Sequence, residues 1–375
     1  MFLTIIVFIL VLSVLVLAHE FGHFWAAKNR GLKPVEFGLG LPSRVWCIYK
    51  STDGTWKKVW GKREIIDAAD TIYSVNWMLF GGFVNLLEDE DAGGDPNHFA
   101  NKKIWERAMI LLAGVTMNVL LAMFLYSIGF AFGLPQSLDG VDPKAIVTNH
   151  EIIIDQILKD SAASVADLKP NDIIVSINDV EFGSTADLIL FVDQNIDKEL
   201  TYKIKRNNEV LDKKITPKKL VETGKGGIGI GITDVGVVRY PWYLAIWKGI
   251  SFTILLLIKM VLAFFLVIKS LVMGQGAGTE VGGPVMIAKY VGQAARMGFG
   301  YLVNLTALLS VNLAIINALP FPALDGGRVL FLIIEKIKGG PVKRELENAV
   351  NTVGMVLLLL LMAVVTLKDV LKVFK

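Results

Sequence analysis

The chain has 375 residues, 53% of them hydrophobic and only 19% charged, with a mean hydropathy of +0.54. Soluble globular chains are less apolar and more charged, so the composition excludes an ordinary soluble enzyme and points to an integral membrane protein. A formal charge of +3 spread along the chain gives no footprint for nucleic acid, and the single cysteine, Cys47, excludes an intrachain disulfide and every cysteine-based zinc site.

Residues 2–18 form an apolar run that lacks the basic leader of a secretory signal and continues past Ala18, which predicts a retained helix. Crossing ~30 Å of hydrocarbon takes ~20 residues, and apolar stretches of about that reach occur at 2–27, 105–133, 243–273, 302–319 and 353–367. Lys28, Arg30, Lys33, Arg44, Lys50, Lys57, Lys58, Lys62 and Arg63 follow the first stretch, and Lys102, Lys103 and Arg107 precede the second. Both flanks therefore read as cytoplasmic, and the polar stretch 134–240 as lying outside.

If residues 243–273 crossed back, the basic loop "EKIKGGPVKRE" (335–345) would fall on the outer side, against the positive-inside bias. The expectation is a polytopic α-helical membrane protein with about four transmembrane helices. Residues 243–273 then form a membrane-associated helix whose Lys248, Lys259 and Lys269 snorkel, with a fifth true span as the alternative.

"VLAHEFGHFW" (16–25) closes the first apolar run. His19 and His23 stand four apart, on one helix face about a turn from each other, near enough to share a metal ion. Glu20 beside them supplies a base for the attacking water, and a third protein ligand is required. Glu20 lies ~26 Å along a helix rising 1.5 Å per residue, near the inner edge of the hydrocarbon. An ionised group there costs ~2.5–3.5 kcal/mol, so it needs partners and a use.

"SVNWMLFGGFVNLLEDED" (74–91) sets a Gly81-Gly82 turn between apolar runs, which predicts a β-hairpin dipping into the membrane beside the histidines. The preceding polar stretch, 49–71, has no functional assignment. Its Trp56, Trp60 and charged flanks fit a cytoplasmic hairpin near the headgroups.

Residues 151–182 read as a strand, a short helix capped near Ser161, a turn at Lys169–Asp172 and the strand "IIVSIND". "STADLILFVDQN" reads as a helix. "ELTYKIKR", a turn at Asn207–Asn208 and "EVLDKKIT" read as a hairpin, and "GGIGIGIT" as a closing strand. This order resembles a PDZ domain, an α/β fold that captures extended peptides by strand addition. Asp167 and Asn171 stand where that family commonly has glycine, and both tolerate a left-handed backbone. A spacer role without a ligand is the alternative.

"INALPFPALDGGRVLF" (316–331) breaks an apolar helix at Pro320 and Pro322 and then offers Asp325, Gly326 and Gly327. Such a break at membrane depth needs protein or a wet cavity to satisfy the freed backbone. Under the topology above, Asp325 arrives at the depth of His19 and His23, which makes it the candidate third ligand in an open, catalytic site. The two glycines are expected to let the backbone approach the metal helix. His98 and His150 are the rivals, both expected to be solvated loop residues.

"HEFGH", "NALPFPALDGG" and the stretch "VGGPVMIAKYVGQAARMGFGYLVNLTALLSVNLAIIN" together resemble the site-2 protease family of intramembrane zinc metalloproteases, of the bacterial regulator of sigma-E protease type. The resemblance covers nearly the whole chain. It implies Zn2+ held by His19, His23 and Asp325, Glu20 as general base, and Asn317 holding substrate or polarising the scissile carbonyl. It further implies a substrate-binding re-entrant β-loop at Gly81, Gly82 and Phe83. "AGVTMN" (113–118) is similar to another family motif, with Val115 in place of the usual proline, which implies support from Asn118.

The implied activity is cleavage of single-pass membrane proteins, such as anti-sigma factors or remnant signal peptides, after a first protease has trimmed them outside. The implied setting is the bacterial inner membrane. The expected organisation is an N-terminal membrane part (1–133), an extracytoplasmic PDZ-like domain (134–240) and a C-terminal membrane part (241–375). A transporter or proton relay, and a metal-bearing scaffold without catalysis, are the readings from other classes.

Overall fold

The structure is a computed structural model that describes residues 2–86, 98–206, 209–220, 224–274 and 283–373. It contains two compact units, one formed by Met1–Ile128 with Ile246–Lys375 and the other by Gly129–Ala245. The expected turn at Asn207–Asn208 and residues 87–91 of the expected hairpin lie outside the described residues.

The elements run in chain order as α1 (Phe2–Asn29), β1 (Glu36–Lys50), β2 (Trp56–Trp60), β3 (Ile72–Asn85), α2 (Ile104–Phe132), β4 (Leu134–Ser137), β5 (Ile146–Ile157) and α3 (Ala162–Val165). β6 (Ile173–Ile177), α4 (Thr185–Gln194), β7 (Leu200–Arg206), β8 (Glu209–Ile215), β9 (Lys218–Lys219), β10 (Gly226–Gly227) and β11 (Ile230–Arg239) complete the second unit's strands and helices. α5 (Trp242–Val272), α6 (Pro284–Met297), α7 (Phe299–Ala318), α8 (Asp325–Lys338) and α9 (Arg344–Val373) follow.

Five helices, α1, α2, α5, α7 and α9, are long and apolar enough to cross a membrane. Their contacts give the directions. On α1, Gly22 abuts Ala113 and Gly114 of α2 without room for a Cβ, and Val11 and Leu15 pack with Leu121, so the two helices run antiparallel. α6, a helix distinct from α7 because Gly298 turns the chain at φ 120°, presses Gly292 on Thr4 near the start of α1. α7 then runs parallel to α1 and ends at Pro320, where the missing N–H stops the helix. α9 returns the other way: Gly354 sits on Pro322, and Asp369 accepts the Met286 N–H of α6. The N-terminal part of α5 rests on the far end of α2, where Gly249 meets Ser127.

β1 and β3 each bend, so that 36–39 of β1 pairs with 72–75 on one side and 82–85 on the other, while 46–48 pairs with 73–75 and β2 lies outermost. Among the described residues, 82–85 is thus the opposite edge of the sheet. Gly81, at φ 80°, brings the turn against Val16 near the middle of α1.

The second unit is a six-stranded sheet in the order β4-β11-β5-β6-β7-β8 around a core of Ile152, Ile154, Ile174, Ile177, Leu188, Tyr202 and Ile204. Ser161 caps α3 by accepting the Ser164 N–H, and Asp167 and Asn171 take φ of 56° and 70°, the left-handed backbone their side chains tolerate. Buried Asp172 is held by Arg206, at 2.7 Å from both Nε and Nη2.

Candidate metal centre

His19 and His23 project from the buried side of α1, and Asp325 is the first residue of α8. Gly326 and Gly327 have no room for a Cβ against the carbonyls of Ala318, Leu319 and Phe321. Their small size folds the start of α8 back under the end of α7, which delivers Asp325. This corrects the expectation that they approach the metal helix.

Asp325 Oδ2 lies 3.0 Å from His19 Nε2 and 3.3 Å from His23 Nε2, and the two imidazole nitrogens are 3.1 Å apart. Ligand atoms ~2.0–2.1 Å from one tetrahedral zinc stand ~3.3 Å from each other, so the three spacings fit. The donor chemistry fits as well. His23 Nδ1–H donates to the Ile110 carbonyl at 2.9 Å, leaving Nε2 with a bare lone pair, and the buried Asp325 Oδ2 has no hydrogen-bond partner. Three electron-rich atoms facing one point call for a cation.

Asn118, fully buried on α2, has its amide nitrogen 3.3 Å from His19 Nδ1, while its Oδ1 has no partner. Turning the amide by half a rotation sets Oδ1 to accept the Nδ1–H and satisfies both groups, the orientation a metal-ligating His19 requires. Gly114, one turn earlier, leaves space for both rings: a Cβ there would fall 2.7 Å from His23 Cε1 and 2.8 Å from His19 Cε1.

Glu20 Oε2 accepts the Val84 N–H at 3.1 Å, which ties the glutamate to the edge strand 82–85. A cavity of about 500 Å3 opens over these groups, lined by His19, Glu20, His23 and Asp325, by Phe83–Leu86 of the strand, and by Pro42, Leu111 and Arg328. Of the other expected site residues, Phe83 lines the cavity, Gly81 and Gly82 form the turn beside Val16 and Leu17, Asn118 lies beneath His19, and Asn317 is half-buried on α7 away from the lining.

Gly114, Pro42 and Arg328 were not expected; Gly114 stands four residues before Asn118, on the same helix face, which was the available signal. The rivals do not join the centre. His98 is buried rather than solvated, because adjacent Phe99 anchors that segment in a cluster with Ala27, Leu32 and Leu86. His150 is half-buried and sits 2.8 Å from Asp234 in the second unit. Among the described residues, His19, His23 and Asp325 form the one group of three such side chains able to hold a metal ion.

Peptidase family M50 matches residues 7–361. A Clostridium acetobutylicum protein named provisionally as a zinc metalloprotease is 32% identical over 369 residues, covering 98% of each chain. Regulator of sigma-W protease RasP of Bacillus subtilis is 28% identical, covering 99% of each. Regulator of sigma-E protease RseP of Escherichia coli is 27% identical, covering 96% of this chain and 97% of that one. Among solved structures, the PDZ domain of an SdrC-like protein from Listeria innocua is 22% identical, covers 22% of this chain and 92% of that one, and has a TM-score of 0.21.

Proposed function

The chain belongs to peptidase family M50 and is a multi-pass membrane zinc metalloprotease, and from that premise we propose that it cleaves peptide bonds within or beside the transmembrane segments of single-pass proteins. The observation that carries this is the meeting of His19, His23 and Asp325 beside Glu20 and a strand edge.

His19, His23 and Asp325 would hold the zinc, which supplies Lewis acidity and a lowered pKa for bound water. Glu20 accepts a proton from the attacking water and returns it to the leaving amine. Asn118 fixes the tautomer of His19, and the Ile110 carbonyl that of His23. A transmembrane helix hides its amides in its own hydrogen bonds, so it must unwind before it reacts. The edge 82–85 receives the unwound stretch by strand addition, with Phe83 lining the cavity beside it. The Val84 N–H now held by Glu20 is a group that an added strand takes, so capture of substrate also frees the base.

We place the histidine end of α1 in the cytoplasm, because Lys28, Arg30, Lys102, Lys103, Arg107, Lys336, Lys338, Lys343 and Arg344 all lie at that end of the helices. α5 starts beside the far end of α2 and the chain re-enters α6 beside the far end of α1, so α5 makes no net crossing and four helices span. On this reading 1–133 and 241–375 are the membrane parts and 134–240 is the PDZ-like domain, outside the membrane. The proposed substrates are anti-sigma factors and remnant signal peptides already shortened outside; the names of the RasP and RseP relatives, as regulators of sigma factors, support the first of these.

The test co-expresses tagged single-pass substrates with the wild type, Glu20→Gln and His19→Ala. Cleavage is expected to vanish in both variants, with zinc retained in the first. Equal processing by all three would end the protease assignment for these residues.

A further inference from the structure

One face of the sheet is covered by its own loop, and the other, which packs on α1 through Phe37 and Tyr73, is left open along β1 and β2. Side chains alternate along a strand, so the cross-strand pairs Trp46↔Trp60, Ile48↔Lys58 and Lys50↔Trp56 set all six residues on a single face of β1 and β2. The opposite face carries Cys47, Tyr49 and Ile72, which pack with Val59, Ile65 and Ala68. The hairpin's acidic groups belong to the covered side: Asp67 accepts from Tyr49, Ser51 and Lys57, and Asp53 pairs with Lys57. The open face is therefore aromatic and basic, with Trp56 at 60% and Trp60 at 70% exposure and Lys50 and Lys58 exposed.

Contacts with α1 give the depth of each row. Gly81 touches Val16, the Tyr73 ring stacks edge-on with Phe24, and Asp70 pairs with Lys28, so the sheet lies lengthwise along about 18 Å of the helix. Ile48 pairs with Tyr73, and Trp46 with Val75, one row deeper. Lys50 accepts the Ala69 N–H with its carbonyl, at the level of Lys28 and Asp70. Trp46 and Trp60 thus sit deepest, Ile48 and Lys58 between, and Lys50 and Trp56 at the charged end of α1. Two indole rings deeper than the lysines, with a third at the lysine level, is an order that suits a membrane–water interface.

We propose that this face of β1 and β2 seats in the headgroup layer at the histidine end of α1, with Trp46 and Trp60 among the glycerol and upper acyl groups and Trp56, Lys50 and Lys58 at the level of the anionic phosphates. The occupant is an anionic lipid surface: the face carries two cations and no carboxylate, and it is continuous with the span that anchors it. Docking fixes the sheet at one depth and holds edge 82–85 in register with Glu20. The orientation proposed above decides only which leaflet is met.

The test uses the full chain in nanodiscs of phosphatidylcholine alone or mixed with phosphatidylglycerol. In a Cys47→Ser background, Trp56→Cys or Glu64→Cys carries a nitroxide, and collision with oxygen and with a water-soluble nickel chelate is measured. The label at 56 is expected to favour oxygen and be shielded from nickel in the anionic discs, while the label at 64 stays accessible. Each of Lys50→Gln and Lys58→Gln should lower the docked-to-undocked ratio about fivefold, and the arginine replacements should restore it. Equal nickel access at 56 and 64 in both lipids would overturn the proposal. So would shielding that ignores the lysine changes, or shielding that appears only when a single-pass substrate is added, which would mark a protein-docking face. The readout does not depend on hydrolysis, so it stands or falls apart from the protease assignment.

Discussion

Gly114→Ala tests whether the α1–α2 crossing exists to leave space for the metal ligands. The new methyl would lie 2.7 Å from His23 Cε1 and 2.8 Å from His19 Cε1, whereas carbon atoms rest at about 3.5–4.0 Å. Both rings must therefore retreat by about 1 Å, away from the point they share with Asp325. Displacement of that size costs about 100-fold where geometry is tight, and disturbed ligand support costs ~10–100-fold in metal affinity. Alanine is also the better helix former by about 1 kcal/mol, so the helix itself gains. The expected result is a chain that folds with unchanged helicity in detergent yet binds zinc about 100-fold more weakly, measured by competition with a chromophoric chelator. Unchanged zinc affinity would refute the crossing's assigned purpose, and loss of helicity would show that the methyl separates α1 from α2 instead.

Glu20→Gln keeps a side chain of the same shape and leaves the ligands intact; zinc content should hold while turnover of a single-pass substrate falls by about 100- to 10,000-fold. Asn118→Leu removes the acceptor for His19 Nδ1–H and should weaken zinc about 10- to 100-fold, whereas Asn118→Asp, which still accepts, should retain it; equal affinities in the two variants would remove Asn118 from the support of His19. In the second unit, burial raises the Asp234 carboxyl, but the Thr185 hydroxyl, the Thr185 N–H and His150 together hold it below its ordinary value. A depressed carboxyl contributes stability above the unfolded pKa of about 4, and that contribution is lost as pH falls through the folded value. Hydrogen exchange around Thr185, corrected for intrinsic rates, should therefore quicken below about pH 4 in the wild type and lose that dependence in Asp234→Asn.

The chemistry was more legible in the sequence than the packing that holds it. Four-residue spacing puts His19 and His23 on one helix face in any setting, and Pro320 and Pro322 end α7 by removing N–H groups, so both signals are local. Asp167 and Asn171 were readable for the same reason, since the left-handed backbone depends on each residue's own side chain. The Val84–Glu20 bond was not readable. It depends on β3 bending at Gly81 and pairing twice with β1, a register set by the folded sheet. The neighbour of Gly326 and Gly327 is not legible, because a glycine announces close approach without naming what approaches, here the backbone at the end of α7. The burial of His98 is likewise hidden among polar neighbours, since it depends on a single anchoring phenylalanine, Phe99, which draws the histidine inward.

The depth of the centre explains why its supports come from so many elements. Ionised and strongly polar groups near hydrocarbon cost several kcal/mol unless each finds a partner. Glu20 finds the Val84 N–H of β3, His23 the Ile110 carbonyl of α2, and the Asp325 carboxylate, set beside the two imidazoles of α1, the cation that all three would share. Arg107 at the start of α2 pairs with Glu335 on α8, tying the helix that supports the histidines to the one that carries the aspartate. No single helix can satisfy these groups by itself, so the centre forms only when α1, α2, α8 and the sheet have packed. It follows that small shifts between these elements act first on the metal ligands and only later on the helices, and that zinc affinity is the most sensitive reporter of packing in this part of the chain.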